Sequence, residues 1–505
     1  MPVFVGCDLG TMGTKAAVVD SDGKLLGDAF EEVPLRSPRP GWVEQDLDEI
    51  EASAHRTIRA ALAASGRARD VGGMAFSGQM SGIGAVDERF RPATRFDSWL
   101  DTRCDPYITA MNEHAARVIE LSGCPPTYSH GPKILWWRQE RPQDYRRIAR
   151  FVVPGAFVAG RLCNLAAGEV FIDRTYLHFS NLADTRRAAW SAELLEAFGV
   201  EERVLPRIVD PLDVVGTVSP AGEAATGIPA GTPVAAGAGD QTAASLGAGV
   251  VDPGQAFDSA GTASVFAICV DDFVPDVAHR TMMATHSVIP GVYIALAFIN
   301  GGGLALRWFR DHVAAGMAGD PDAYERLDRL AETVEPGSGG LLWLPHFQGR
   351  VLPPQPAVRG GWVGLTSGHQ IGHLFRAILE GIAYEYAAGA RLVGGEGGAE
   401  LREARVLGGG ARSRLWNQSK ADVLGIDWVP TVRQECGVLG DALIAAAATG
   451  HADDLAARAK AWQQTAEPLR PDPGRHDRYR ELLAAHRELG ERVVGVFERL
   501  GGRSG

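Results

Sequence analysis

A chain of 505 residues is too long for one ordinary hydrophobic core and predicts two or three domains. Its 45% apolar and 22% charged residues are those of a globular protein rather than a disordered or fibrous one. A formal charge of −12 argues against nucleic acid or an anionic membrane as main partner, and no apolar run approaches a membrane span.

No basic stretch precedes the apolar start Met-Pro-Val-Phe-Val-Gly-Cys-Asp, so no signal peptide is expected and the cytoplasm is the predicted compartment. Six cysteines (Cys7, Cys104, Cys124, Cys163, Cys269, Cys436) are scattered without a C-x-x-C pair. That spacing predicts neither a zinc site nor a disulfide framework.

Val3 to Cys7 reads as a buried strand, Asp8 to Thr14 as a Gly-rich loop and Lys15 to Asp20 as the returning strand. Asp46 and Glu49 have the spacing of a capping box at a helix start. Strands and helices then alternate to about residue 247, which predicts an α/β domain. The run from Thr232 ends in Gly239-Asp240-Gln241-Thr242, followed by small residues: a strand end, a tight loop and a helix start. A carboxylate placed there faces a cleft and can accept a proton from a bound hydroxyl.

After Gly249 the design restarts. Gln255 to Ser259 predicts a strand, Ala260 to Ser264 a loop carrying Gly261 and Thr262, and Val265 to Val270 the return. Two copies of one hairpin predict a duplicated domain with a cleft between the copies. A helix is expected from Gln370 to about Gly389, with Leu374, Ile378 and Ile382 in one stripe widened by Phe375 and Leu379. The tail, 451–505, is expected to be a helical extension packed on the second domain. Tyr479, Leu482, His486, Leu489 and Val493 mark its apolar face.

The loop Asp8-Leu9-Gly10-Thr11-Met12-Gly13-Thr14-Lys15 has what a polyphosphate needs: glycines for close approach, hydroxyl and amide donors, and an amine. Asp8 suits a magnesium ion held through water. The spacing is not that of a Walker A loop.

The chain resembles the FGGY carbohydrate kinases, most nearly their xylulokinase-like members. The resemblance rests on Asp8–Lys15, Pro40-Gly-Trp-Val-Glu-Gln-Asp46, Ser77-Gly-Gln-Met80, Trp99-Leu-Asp-Thr-Arg-Cys104, Pro132–Trp137, Gly239-Asp-Gln241 and Leu407–Ala411. Its strongest part is Gly360-Gly-Trp-Val-Gly-Leu365 with His373-Leu-Phe-Arg-Ala-Ile-Leu-Glu-Gly381. It implies two actin-like, ribonuclease H-like α/β domains, residues 1–247 on the sugar and phosphate side and 248–450 on the nucleotide side. They would close on ATP, Mg²⁺ and a sugar, and dimers are common in such proteins.

By the resemblance Asp240 is the catalytic base, and Asp8 with Asp240 would serve the metal. Asp8, Gly10, Thr11, Met12, Gly13 and Lys15 would meet the phosphates from one side and Gly261 and Thr262 from the other. Gly303, Gly409, Gly410, Ala411 and Arg414 would flank the nucleotide. The sugar candidates are Gln79, Met80, Ser81, Trp99, Asp101, Arg103, Asp240 and Gln241. Asp101 and Arg103 have a second reading as partners of each other, and Trp42, Glu44 and Gln45 are expected to be structural.

The implied reaction is phosphorylation of a pentulose such as D-xylulose to its 5-phosphate. Ser81 stands where xylulokinases usually carry His, and His130, Trp137 and most of Phe171–Ser180 also depart from the pattern. Those differences leave another ketose, a polyol or a sugar acid as alternatives. A nucleotide-binding sensor without transfer activity and a phosphatase are the rivals from other classes.

Overall fold

The computed structural model describes residues 1–261, 263–347, 349–393 and 400–501. Strands β1 (Val3–Leu9), β2 (Gly13–Asp20) and β3 (Leu25–Glu32) form an antiparallel meander. Helix α1 (Leu47–Ser65) follows, and β4 (Val71–Gly78) returns parallel to β1. With β5 (Val214–Thr217) and β6 (Pro233–Ala235) the order is β5-β6-β4-β1-β2-β3, and the short strand Ala238–Gly239 also pairs with β4.

The second sheet repeats this plan. It contains β7 (Gln255–Ala260), β8 (Ser264–Val270), β9 (Met283–His286), β10 (Tyr293–Ile299), β11 (Glu403–Leu407) and β12 (Asp427–Pro430). The order is β9-β10-β8-β7-β11-β12, with β7, β8 and β10 antiparallel and β11 parallel to β7. Each half is therefore an antiparallel meander extended by parallel strands. The duplication expected from two short hairpins extends over two whole sheets.

Period-two alternation decides which side chains of β1 meet which layer. Val3, Val5, Cys7 and Leu9 join a core with Ile50, Ala54, Ile58 and Leu62 of α1. Phe4 faces the opposite layer, which contains Ala243 and Leu246 of α2 (Asp240–Gly247). That layer also holds Val438, Leu439 and Ala442–Ala446, which belong to a helix near the chain's end. Gly6 and Asp8 share this second face with Phe4, so Asp8 points away from the α1 core.

Helix α3 (Ile371–Val393) is somewhat longer than the periodicity predicts and crosses the second sheet. Beside it lie α4 (Arg414–Leu424) and α5 (Cys436–Ala448). Although α5 follows the second sheet in sequence, it packs on β1 and β4 and against α2. Glycines allow that crossing: a Cβ on Gly440 would lie 1.9 Å from the Ala243 carbonyl oxygen, and one on Gly247 1.9 Å from that of Cys436.

Two sequence expectations need correction. Asp46 caps α1 by accepting from the Asp48 amide, but Glu49 pairs with Arg36 and does not complete a capping box. Asp8 and Gly13 to Thr14 lie within paired strands, which shortens the predicted loop to Gly10–Met12. The terminal helix α6 (Pro473–Gly501) packs on α3 and α4, burying Tyr479, Leu483 and His486.

Candidate active site

Three parallel strand ends build the floor of the cleft. Asp8 is in register with Ser77 and Ser77 with Ala238, while Gly78 pairs with Gly239. Asp240 comes next, as the first residue of α2. Tyr176 clamps two of these ends, its hydroxyl donating to the Gly78 carbonyl at 2.8 Å and approaching that of Ala238 at 3.4 Å. The Gly239 amide donates to the Thr175 hydroxyl at 2.9 Å, and Thr175 is held in turn by Asp173. The backbone that aims Asp240 is thus fixed on both sides.

Asp8 and Asp240 are half-buried at this floor. Burial, followed by repulsion from Asp8, pushes the Asp240 carboxyl up to about 7. Burial also raises Asp8, to about 6, with Ser77 and Lys15 acting against the rise and Glu435 adding to it. A carboxyl near 7 is matched to proton acceptance at neutral pH.

A third carboxylate, Asp441, was not singled out by sequence. Its Oδ2 accepts from the Ser77 hydroxyl at 2.9 Å, and that hydroxyl lies 3.4 Å from Asp8 Oδ1. Asp441 is fully buried, its Oδ1 has no partner among the described residues, and burial holds its carboxyl well above the usual carboxylate range. The readable signal was one acid, Gly440-Asp441, in a run of small helical residues.

The Gly10–Met12 turn lies above this floor, but most of its expected donors are already engaged. The Thr11 hydroxyl accepts from the Trp99 indole at 2.8 Å, and Thr14 shares a hydrogen bond with Ser53 at 2.6 Å. The Lys15 amine pairs with Glu435 at 2.5 Å, immediately before α5. Gly13 serves strand packing, since a Cβ there would lie 2.3 Å from the Glu31 carbonyl oxygen. Gly10 is half-buried and Met12 exposed.

From the second half, Gly261 follows the end of β7 and Gly408 the end of β11, two neighbouring parallel strands with Ser259 opposite Leu407. The Gly303 amide donates to the Gly261 carbonyl at 2.9 Å, which brings those two glycines together. Gly409 has open space where a side chain would be. Gly410 does not: a Cβ there would lie 2.3 Å from that of Ala260, so its smallness serves packing. The Ala411 amide donates to Gly408, and Arg414 is exposed at the start of α4. Thr262 lies outside the described residues.

The sugar candidates divide into two groups. Gln79, Met80, Trp99 and Gln241 adjoin Asp240 or the Gly10–Met12 turn, and Ser81 follows Met80 in the chain. The Met80 side chain packs against Gly239, and the Met80 carbonyl meets His130 Nε2 at 2.7 Å. The Ser81 carbonyl accepts from Lys133 at 3.1 Å. Gln79 Oε1 and Gln241 Oε1 are buried acceptors without partners among the described residues. Trp99 meets Phe298 of the second half edge-on, ring centres 5.8 Å apart.

Asp101 and Arg103 form the other group and are partners of each other, as the second reading of the sequence has it. Asp101 is fully buried and accepts from the Val43 amide and the Arg103 guanidinium. Arg103 also pairs with Glu44 at 2.7 Å and Asp97 at 3.5 Å, and stacks 3.7 Å from the Trp42 ring centre. Trp137, outside the family pattern, donates to Asp97 at 2.6 Å in the same cluster. These opposite charges offset one another inside the lobe, while Asp97 Oδ1 and Arg103 Nη1 make no hydrogen bond among the described residues.

Residues 3–247 match the N-terminal domain of the FGGY family of carbohydrate kinases and residues 257–449 its C-terminal domain. The chain is 25% identical over 500 residues to a xylulose kinase of Bacillus subtilis, covering 97% of each protein. It is 30% identical over 506 residues to a glycerol kinase of Leptothrix cholodnii, covering 96% of this chain and 98% of that one. The crystal structure of xylulose kinase from Rhodospirillum rubrum superposes with a TM-score of 0.88 at 27% identity, over 98% of this chain and 99% of that one. No described helix is long and apolar enough to cross a membrane. Two matched domains, the repeated sheets and the carboxylate-floored cleft agree: the chain belongs to the FGGY family and is an ATP-dependent carbohydrate kinase.

Proposed function

We propose that this kinase transfers the γ-phosphoryl group of ATP to a hydroxyl of a pentulose, D-xylulose giving the 5-phosphate. The observation that carries the transfer is Asp240, a half-buried carboxylate raised to about 7 at the cleft floor. In its ionised form it takes the proton of the attacking hydroxyl, while the protein's larger contribution is alignment and charge stabilisation. Gln79 Oε1 and Gln241 Oε1 are acceptors for sugar hydroxyls, and Trp99 with Met80 provides the apolar wall. The cytoplasm, where ATP is available, is the expected compartment.

Magnesium fits the donor set at Asp8. No described group of three His, Cys, Asp or Glu side chains could hold a metal by itself. Mg²⁺ requires only one or two carboxylates, completing its shell with water and phosphate oxygens. Bound there, it neutralises phosphate charge. Asp8 would hold its water shell, and Lys15, once freed from Glu435, would meet a phosphate oxygen.

A polyol substrate is the second reading, favoured by Ser81 in place of a bulkier imidazole and by the 30% identity to a glycerol kinase. An ADP-release assay over D-xylulose, other pentuloses, hexuloses, glycerol and aldonates separates the two, with phosphorus NMR assigning the product. Fastest turnover on D-xylulose supports the proposal. Transfer to glycerol alone replaces it, and bound ATP left intact by every acceptor defeats both.

A further inference from the structure

Gln45 connects the sugar-facing and phosphate-facing parts of the cleft. The side chains of Gln45 and Gln79 are buried, with relative exposures of 1% and 2%. The Gln79 amide nitrogen donates to Gln45 Oε1 at 2.7 Å. Gln45 in turn donates to the Thr11 carbonyl at 3.2 Å and lies 3.4 Å from that of Val33. Val33 returns to the same turn, its amide donating to the Met12 carbonyl at 3.2 Å. On the far side the Trp99 indole holds the Thr11 hydroxyl at 2.8 Å, and its ring touches Phe298 of the other half.

An amide side chain has one accepting and one donating end, and in this relay both ends of Gln45 are committed. Gln79 has spent its nitrogen on Gln45, so its unpartnered Oε1 is the atom left for a ligand hydroxyl. A hydroxyl bound there fixes the Gln79 amide plane. That plane fixes Gln45, and Gln45 fixes the Thr11 carbonyl at the centre of the Gly10–Met12 turn.

We infer that Gln45 is a positioning residue through which an occupied sugar site orders the phosphate-binding turn, so that acceptor and nucleotide bind cooperatively. The inference rests on the proposed placement of the sugar against Gln79. Sites coupled in this way change each other's affinity by equal factors. The Phe298 contact extends the relay to the nucleotide half, because a turn held by Trp99 is also tied to the opposite lobe.

The test is calorimetric titration of the full chain with D-xylulose and with a non-hydrolysable ATP analogue, each alone and in the presence of the other. In the wild type the sugar is expected to tighten analogue binding on the order of tenfold. Gln45→Met, close in shape but without either hydrogen bond, should keep each single-ligand affinity within about twofold and bring that factor close to one. Trp99→Phe removes the indole donor to Thr11 and puts a smaller aromatic ring against Phe298, so it is read by the coupling factor and not by the single-ligand affinities. It should reduce the factor in the same direction, and it serves if Gln45→Met does not fold. A Gln45→Met protein with wild-type coupling overturns the relay, as does a loss of both affinities with their ratio unchanged. Coupling by D-xylulose without phosphoryl transfer to it would defeat the substrate proposal and leave the relay standing.

Discussion

The carboxylates of Asp8 and Asp240 stand on either side of one strand end, that of β4, and Asp8 raises the proton affinity of Asp240. A base poised near neutrality has a direct kinetic signature. Only its ionised form accepts the hydroxyl proton, so kcat/KM should rise with pH along a one-proton limb centred at about 7. A profile of ADP release that stays flat across that region would remove Asp240 from the proton-accepting role.

Asp240→Asn separates chemistry from binding. Its kcat should fall by about 10²- to 10⁴-fold, while sugar affinity measured by calorimetry changes little. Comparable losses in both quantities would mean that the carboxylate binds rather than reacts.

The same variant should be the more stable protein in alkaline solution. The folded-state pKa of Asp240 lies above its ordinary value of 3.8, at about 7. Its contribution is therefore fully present below the unfolded value and is lost as pH rises through about 7. Above about pH 8, Asp240→Asn should melt a few degrees higher than the wild type, with the gap closing in mild acid. An equal gap at all pH values would contradict the assignment.

Lys15 is held by Glu435 at 2.5 Å, and a phosphate must compete for that amine. The pair is partly exposed, which limits its worth to about 1 kcal/mol. Glu435→Gln should lower the KM for ATP by about two- to fivefold, and a raised KM would instead mark Glu435 as a contributor to the nucleotide site.

Arg103 is surrounded by Glu44, Asp97 and Asp101. Arg103→Met leaves those acids without their cation and should cost about 3–5 kcal/mol of stability in denaturant unfolding. The KM for sugar, measured well below the melting temperature, should stay within about threefold. A large rise in KM without destabilisation would restore Arg103 as a sugar ligand.

Much of this site was legible because its elements are local. The run into Gly239-Asp240 announced a strand end and helix start within a few residues, and β1 with β2 appeared as a hairpin around a short turn. Side-chain commitments across the fold were not legible. Nothing near Thr11 in sequence reveals that Trp99 takes its hydroxyl, nor near Lys15 that Glu435 occupies its amine. Asp441 was hidden for the same reason: it is one acid in a small-residue helix, made significant only when α5 lays it beside Ser77. Gln45 read as structural because its partners, Thr11 and Gln79, each lie 34 residues away along the chain.

The seating of α5 on β1 and β4 has a consequence for synthesis. Phe4, Ala75 and Ala235 present an apolar sheet face whose cover is mainly the segment Val438–Ala446. While the ribosome is still making the second lobe, the first has its strands and α2 but lacks the larger part of the cover over that face. Its maturation must wait for a helix encoded some two hundred residues after its last strand, so a gene cut between the lobes yields a sticky half-molecule rather than a working sugar-binding module.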